Sequence, residues 1–542
     1  MTNGGIDQWW QAAALSAATF VSEDATCIGT GLLVRAGHFN WAVGVGACIT
    51  GIFLGDLGLW LVGHVFGRRA LAWSWVRSRL PATRVEEWGQ WFDRRGMSAV
   101  IAARFLPGTR LPVYIAAGIL GRRAGRFALW ALLAALLWTP MLVLLVASLG
   151  NVVVAPMQRF LGAGWAPFAA TWVILWLSMR LLQQCMSSIG RARLGASASR
   201  LWRWEFWPAW IFYIPLIPWI AYLAVRHRGL MTLTAANPGI APHGGVVGES
   251  KFNILSKLPS EWIISGALIA PGPMELRIAL LTQIMTDRGW RFPLIFKPDA
   301  GQRGAGVRRV RDVDVAARYF EKHPQAVLIQ TYHPGPFEAG IFYYRIPGEP
   351  RGRIFSITDK QFPVLVGDGA STIESLIWRH PRLRMQARTF LARMNGQAET
   401  ILAAQERLPL TIAGNHCQGA MFRDGAHLIT PALEAVIDAI SRRFDGFYFG
   451  RFDIRYNNVN EFKAGRGFAI VELNGVTSES TNLYDPSWSL MRAYRVLFRQ
   501  WSILFKIGNQ NRRRGHPSSS LGQVIADAQF YYRSRNKLLV AD

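Results

Sequence analysis

A chain of 542 residues exceeds what one hydrophobic core organises, so two or more domains are expected. It is 51% hydrophobic with a formal net charge of +26, yet residues 1–228 hold no lysine, eight acids, 21 arginines and 18 of the 23 tryptophans. Arginines flanking apolar, Trp-rich runs suit anionic lipid headgroups, so this basic balance speaks for a membrane and against nucleic acid.

In chain order, apolar segments long enough to cross or enter a bilayer lie near 11–34, 40–66, 98–120, 126–149, 160–182 and 205–225. The first lacks a basic leading region and a cleavage site, so it is not expected to be a removed signal peptide. Arginines cluster at 68–95, 122–126 and 191–203, which marks those loops as cytoplasmic. Pro208, Pro215 and Pro218 make the last segment a broken, re-entrant or interfacial one, which keeps the following domain on the cytoplasmic side. Ionisable residues inside such segments are costly and therefore candidates for function: Glu23, Asp56, Arg104 and Arg110. Pro107 and Pro112 interrupt the segment carrying the two arginines, as expected where backbone lines a polar cavity. The competing reading makes these four residues internal salt bridges that only hold helices together.

The runs GDLGLWLVGHVFGRR and RFLPGTRLPVYIAAGILG resemble the DedA family, also called the SNARE-associated Golgi or VTT domain, over roughly residues 10–185. The resemblance implies a polytopic membrane domain with re-entrant hairpins, implicated in moving phospholipids or polyprenyl-phosphate carriers. The family's embedded acids and paired arginines match Glu23, Asp56, Arg104 and Arg110, with Asp24 the alternative first acid. A guanidinium fork matches the oxygens of a lipid phosphate. Proton coupling through the acids is implied by the resemblance alone.

Composition changes after residue 228, and 229–250 reads as a Gly/Pro-rich linker. Its GGVVGESK lacks the GxxxxGKS/T spacing of a phosphate loop. The run FPLIFKPDAGQRGAGVRRV predicts a strand ending at Lys297, then a turn in which Gly301, Gly304 and Gly306 allow close backbone approach to phosphates. FGRFDIRY and FAIVELNG predict a hairpin that sets Asp453 beside Glu472 and Asn474, because residues two apart on a strand face the same way. Two carboxylates and an amide oxygen form a hard site suited to Mg2+ shared with nucleotide phosphates.

Together with VLIQTYHPGPFE, these motifs resemble the ATP-grasp superfamily in order and spacing over roughly residues 245–505. The resemblance assigns Lys297 and Lys251 to the ATP phosphates, with Lys257 the alternative to Lys251. It assigns Gln330 to His333 to the hinge that reads adenine, and Glu338 to the ribose. Arg451 matches the arginine that stabilises phosphoryl transfer, and Asp453, Glu472 and Asn474 match the ligands of two Mg2+ ions. FPVLVGDGASTIESLI with HPRLR resembles cyanophycin synthetase and related peptide-forming ligases, which places Lys360 and Arg382 on the acceptor side. AGNHCQGA resembles the turn of glutathione-synthetase-like members, which brings Asn415 to that side, although Ala413 stands where some relatives carry arginine; His416 reads as a surface turn histidine.

Residues 488–514 mix apolar and cationic residues at helical spacing, for packing on the ligase core or docking along a membrane; 511–542 reads as a basic tail. Cys27, Cys48, Cys185 and Cys417 show neither metal nor disulfide spacing, and no Ser-His-Asp or Cys-His signature occurs. The expectation is multi-domain: a polytopic α-helical membrane domain with re-entrant hairpins over 1–228, then an α+β ATP-grasp domain over 251–510. The expected protein sits in the inner membrane with its ATP-grasp domain cytoplasmic. It joins a small carboxylate to an amine with ATP and two Mg2+ ions, possibly on a lipid-linked substrate that the membrane domain moves. The alternative is a lipid or ion transporter regulated by a nucleotide-binding module.

Overall fold

The computed structural model describes residues 4–67, 98–105, 110–121, 124–161, 165–186, 188–301, 306–394, 396–411 and 414–535. The chain divides into two compact units, Met1–Gly195 and Ala196–Asp542.

The first unit is helical: α1 (Gly4–Thr19), α2 (Glu23–Arg35), α3 (Trp41–Phe66), α4 (Ser98–Phe105), α5 (Arg110–Ile119), α6 (Ala124–Leu161) and α7 (Trp165–Met186); α8 (Ser188–Trp202) runs across the division. Ser22 starts α2 by accepting from the Ala25 amide at 3.4 Å, and Asn40 starts α3 by accepting from Ala42 at 2.9 Å. Among the described residues, Trp41–Phe66, Ala124–Ser148 and Ala209–Arg226 are long and apolar enough to cross a membrane. The expected segments 11–34 and 98–120 are each split into two shorter helices. In the first the break brings Glu23 to a helix start, and in the second it brings Arg110 to one.

Glycines let these helices touch backbone to backbone. A Cβ at Gly63 of α3 would lie 2.1 Å from the Ile115 carbonyl, and one at Gly118 of α5 would lie 2.1 Å from the Trp60 carbonyl. Gly51 meets α1 and Gly31 meets α6 in the same way. Such small-residue contacts hold helices together where lipid removes the hydrophobic drive. Around them pack Cys27, Ile28, Cys48, Val143 and Val146 in one cluster and Trp60, Tyr114 and Phe127 in another.

The second unit is built on two antiparallel sheets. One has strand order β1 (Gly266–Ile269), β4 (Val327–Thr331), β2 (Leu294–Pro298), β3 (Arg308–Val310). The other runs β11 (Phe468–Asn474), β10 (Phe449–Tyr456), β5 (Phe337–Tyr344), β6 (Arg353–Gln361), β9 (Met421–Asp424), and β7 (Val364–Val366) pairs with β8 (Arg407–Pro409). Alternation shapes β10: Phe452, Ile454 and Tyr456 enter the main core, while Arg451, Asp453 and Arg455 take the other face. Burial of each such apolar side chain stabilises by roughly 1.5–3 kcal/mol.

Two stretches differ from expectation. Residues 229–250 are packed structure: Asn237 accepts from the Tyr448 and Phe449 amides at 3.0 and 2.9 Å and donates to the Phe449 carbonyl at 2.7 Å, substituting for a strand partner at the start of β10. His243 joins this stretch to the C-terminal residues by hydrogen bonds to Ser519 and Asp527, both at 2.8 Å. The compositional boundary at 228 also differs from the structural one at 195, because residues 204–226 pack within the second unit. Their Trp204, Phe212 and Leu216 cluster with Leu483, Trp488, Tyr494 and Leu497. The three prolines break this stretch into 3-10 turns and two short helices, as their lost amides require. The opposite face leaves Trp210 70% and Val225 82% exposed. Tyr494 and Leu497 belong to α9 (Leu490–Arg513), so the core-packing role for 488–514 is the one the structure has.

Candidate functional site

The hairpin of β10 and β11 sets Arg451 opposite Asn474 and Asp453 opposite Glu472, with a bulge between Asp453 and Ile454. Asn474 Nδ2 donates to Asp453 Oδ2 at 3.2 Å. Arg451 donates to both oxygens of Asp453, from Nε at 3.0 Å and from Nη2 at 3.2 Å. From β6, Lys360 Nζ lies 2.9 Å from Asp453 Oδ1 and 2.9 Å from Glu338 Oε1, and Arg455 Nε reaches Glu338 Oε2 at 3.2 Å. Burial favours a neutral Asp453, but Arg451 and Lys360 outweigh it and hold the carboxyl well below the usual carboxylate range. Burial likewise opposes charge on Lys360, while Asp453 and Glu338 hold its ammonium above the ordinary lysine value.

The other sheet meets this cluster at one carbonyl. Val471 accepts from Lys297 Nζ of β2 at 3.2 Å and from Gln330 Nε2 of β4 at 3.3 Å. Burial lowers Lys297 below the ordinary lysine value. Lys251 lies 3.5 Å from Glu472 Oε1 and donates to the Gly301 carbonyl. Ser250 places it by capping the short helix Lys251–Leu255, whose Phe252 amide donates to Asp299 Oδ1 at 2.8 Å. Lys257 instead donates to the Gly239 carbonyl at 2.7 Å, so Lys251 is the lysine at the site.

The structure therefore brings together Lys251, Lys297, Gln330, Glu338, Arg451, Asp453, Glu472 and Asn474. Gly301 and Gly306 flank residues 302–305, and Gly306 has a positive φ of +73°. Gly304 lies outside the described residues. His333 holds the chain between β4 and β5, its carbonyl accepting from Arg455 at 3.3 Å. Lys360 sits in the ion network rather than on a separate acceptor side. Arg382 is drawn to Glu205 at 2.7 Å and lies over the Phe206 ring. Asn415 forms a turn with its carbonyl bonded to Gln418 and Ala420, next to Gly414, where a Cβ would lie 2.0 Å from Glu338 Oε1. His416 is no surface residue: its ring packs among Phe206, Phe422 and Tyr484, and burial pushes it down to about 3.

Sequence reasoning passed over Arg455, although it follows Arg451 and Asp453 at period two on the same face of β10. It also passed over Glu249, where burial raises the carboxyl and one oxygen lacks a hydrogen-bond partner among the described residues. Glu249 titrates under the influence of both Lys251 and Glu472. No cluster of three His, Cys, Asp or Glu residues stands among the described residues. Asp453, Glu472 and Asn474 nevertheless carry oxygen donors of the hard type that Mg2+ takes.

In the first unit the four embedded ionisable residues meet. Arg104 reaches Asp56 at 2.6 Å and Glu23 at 2.8 Å; Arg110 reaches both acids at 2.5 Å. Glu23, like Asp56, thus joins the two arginines, and the quartet links α2, α3, α4 and α5. Arg110 and Glu23 remain partly accessible, with side-chain exposures of 24% and 18%.

Residues 27–148 match the VTT domain model. That match bears out the family resemblance of the membrane half. An uncharacterized membrane protein of Haemophilus influenzae is 27% identical over 104 residues, covering 19% of this chain and 49% of its own, so the chain spans about half the length of that curated relative.

Solved structures that this chain is similar to are matched at low identity and low overall overlap. A D-alanine–D-alanine ligase from Bacillus anthracis solved with ATP is 14% identical, covering 49% of this chain and 66% of its own at a TM-score of 0.27. The bifunctional glutathione synthetase from Pasteurella multocida is 13% identical, covering 46% of this chain and 36% of its own at a TM-score of 0.26.

Proposed function

We propose that the chain is a membrane-bound, ADP-forming carboxylate–amine ligase. The observation that carries this reading is the meeting of two sheets at Val471, with lysines from one side and an Arg–Asp–Lys–Glu network from the other. Lys251 and Lys297 hold the phosphates of ATP, and Gln330 and the chain to His333 hold the base. A substrate carboxylate attacks the γ-phosphorus, ADP leaves, and an amine then displaces phosphate from the acyl phosphate. Asp453, Glu472 and Asn474 would hold Mg2+, which would supply positive charge at the phosphoryl oxygens. Arg451, fixed by Asp453, stands ready for the same developing charge without rearrangement. Lys360 helps keep Asp453 ionised and holds Glu338 in place through its 2.9 Å contact, and no side-chain nucleophile is needed.

The acceptor is proposed to be a lipid-borne amine, processed at the cytoplasmic face of an inner membrane and moved by the VTT unit. Supporting this are the fusion itself, which raises effective concentration, and the exposed apolar face of residues 204–226 in the second unit. The ion quartet suits a lipid phosphate at Arg110 once an acid releases it. Purified full-length protein given ATP and Mg2+ is expected to release ADP only when a carboxylate and an amine are both present. In membranes it is expected to yield an aminoacylated lipid detectable by mass spectrometry. ADP release indifferent to both additions contradicts the ligase; coupling confined to soluble amines contradicts the lipid link.

A further inference from the structure

Glu479 stands in the loop that leaves β11, shortly after Asn474. Its backbone carbonyl accepts from Arg451 Nη1 at 3.1 Å, which sets the residue against the guanidinium that also grips Asp453. Its carboxylate accepts from Tyr484 Oη at 3.0 Å and from Tyr213 Oη. Tyr213 comes from the proline-broken stretch 204–226, and Tyr484 stacks on His416 at 5.4 Å and on Trp204 at 6.1 Å. The walls around Glu479 are thus aromatic. Its charged surroundings are Arg451 directly and the Glu205–Arg382 pair beyond His416. Among the described residues no lysine or arginine side chain forms an ion pair with its carboxylate. A carboxylate held by two hydroxyls at the reacting end of the site, with no cation of its own, is poised to receive one.

We propose that Glu479, between Tyr213 and Tyr484, is the seat of the acceptor amine, binding it as ammonium and accepting its proton. The proposal rests on the ligase reading. One proton passes from R–NH3+ to Glu479. The freed lone pair forms the C–N bond at the acyl carbonyl, the C–O bond to phosphate breaks, and phosphate departs with that electron pair. A second amine proton goes to the departing phosphate, leaving the neutral amide. Burial pushes the Glu479 carboxyl up to about 7, a value matched to proton transfer near neutrality. Neither the nucleotide motifs nor the carboxylate hairpin uses this residue, and it explains why residues 204–226 fold onto the ligase.

The test uses the full chain in detergent with ATP, Mg2+ and a mixture of free amino acids. Hydroxylamine, neutral at about pH 7.5, is compared with ethanolamine, which is cationic there. Mass spectrometry reads hydroxamate and ethanolamide products. Wild type is expected to make both. Glu479→Gln is expected to lower the ethanolamide-to-hydroxamate ratio by about 100-fold, Glu479→Asp to restore part of it, and Tyr484→Phe to lower it less. The acidic limb of the wild-type ethanolamide pH profile, centred near 7, is expected to vanish in Glu479→Gln. An unchanged ratio and limb in Glu479→Gln overturns the amine seat alone, as does wild type that makes hydroxamate but no ethanolamide. Neither product from wild type overturns the ligase reading and the seat with it.

Discussion

Asp453 is the residue on which the charged network turns, since Arg451, Lys360 and Asn474 all bond to it. Replacing Lys360 with methionine leaves Asp453 and Glu338 facing each other with only arginines on their outer sides. Breaking a buried pair in this way costs about 3–5 kcal/mol, measured as a lower denaturant midpoint. The linkage signs are opposite for the two partners. Lys360, raised in the fold, stabilises below its unfolded value, and that contribution fades only as pH climbs through the higher folded one. Asp453, lowered in the fold, stabilises above its unfolded value, and its contribution is lost as pH falls well below the usual carboxylate range. Glu479 is a raised acid, so its favourable contribution is present below about 4 and gone above about 7. Glu479→Gln is therefore expected to flatten the fall in melting temperature between those limits; an unflattened curve contradicts the assignment. Asp453, Glu472 and Asn474 were legible in the sequence because strand period and carboxylate chemistry coincide there. Glu479 was not, since a lone acid in a polar loop gains meaning only when Tyr213 arrives from 266 residues upstream.

Elements carry the same logic through backbone contact. Gly63 and Gly118 bring α3 and α5 close enough that any side chain displaces a carbonyl. Gly63→Leu is expected to destabilise the helical unit by about 1–3 kcal/mol, seen as a lower melting temperature in detergent, whereas Gly58→Leu, whose Cβ meets open space, is expected to be neutral. Asn237→Ala removes three bonds to the backbone beside β10 and is expected to cost about 1–3 kcal/mol. Helices α3 and α6 were legible from unbroken apolar length. The order in 229–250 was not, because glycine and proline mark turns in linkers and packed loops alike. There the hydrogen bonds of Asn237 and His243 decide the outcome, and composition does not register them.

For the whole molecule, two units with separate cores divide a helical, VTT-matching part from a sheet-built part. Arg104→Ala leaves Asp56 and Glu23 with one cation between them, so lowered expression is expected; Arg104→Lys preserves charge while losing the fork that spans both acids. If the VTT unit moves the ligase product, Arg104→Lys is expected to leave product formation by purified protein within about twofold while lowering its amount in the outer leaflet. Equal leaflet amounts for variant and wild type would make the first unit an anchor. In the proposed ligase a carboxylate becomes an acyl phosphate over the Asp453–Glu472 hairpin. Amino-acid substrates labelled with oxygen-18 in the carboxylate, incubated with ATP, Mg2+ and an amine, test it directly. One labelled oxygen is expected in each inorganic phosphate released, and none with Asp453→Asn. Unlabelled phosphate from active wild-type protein would contradict it.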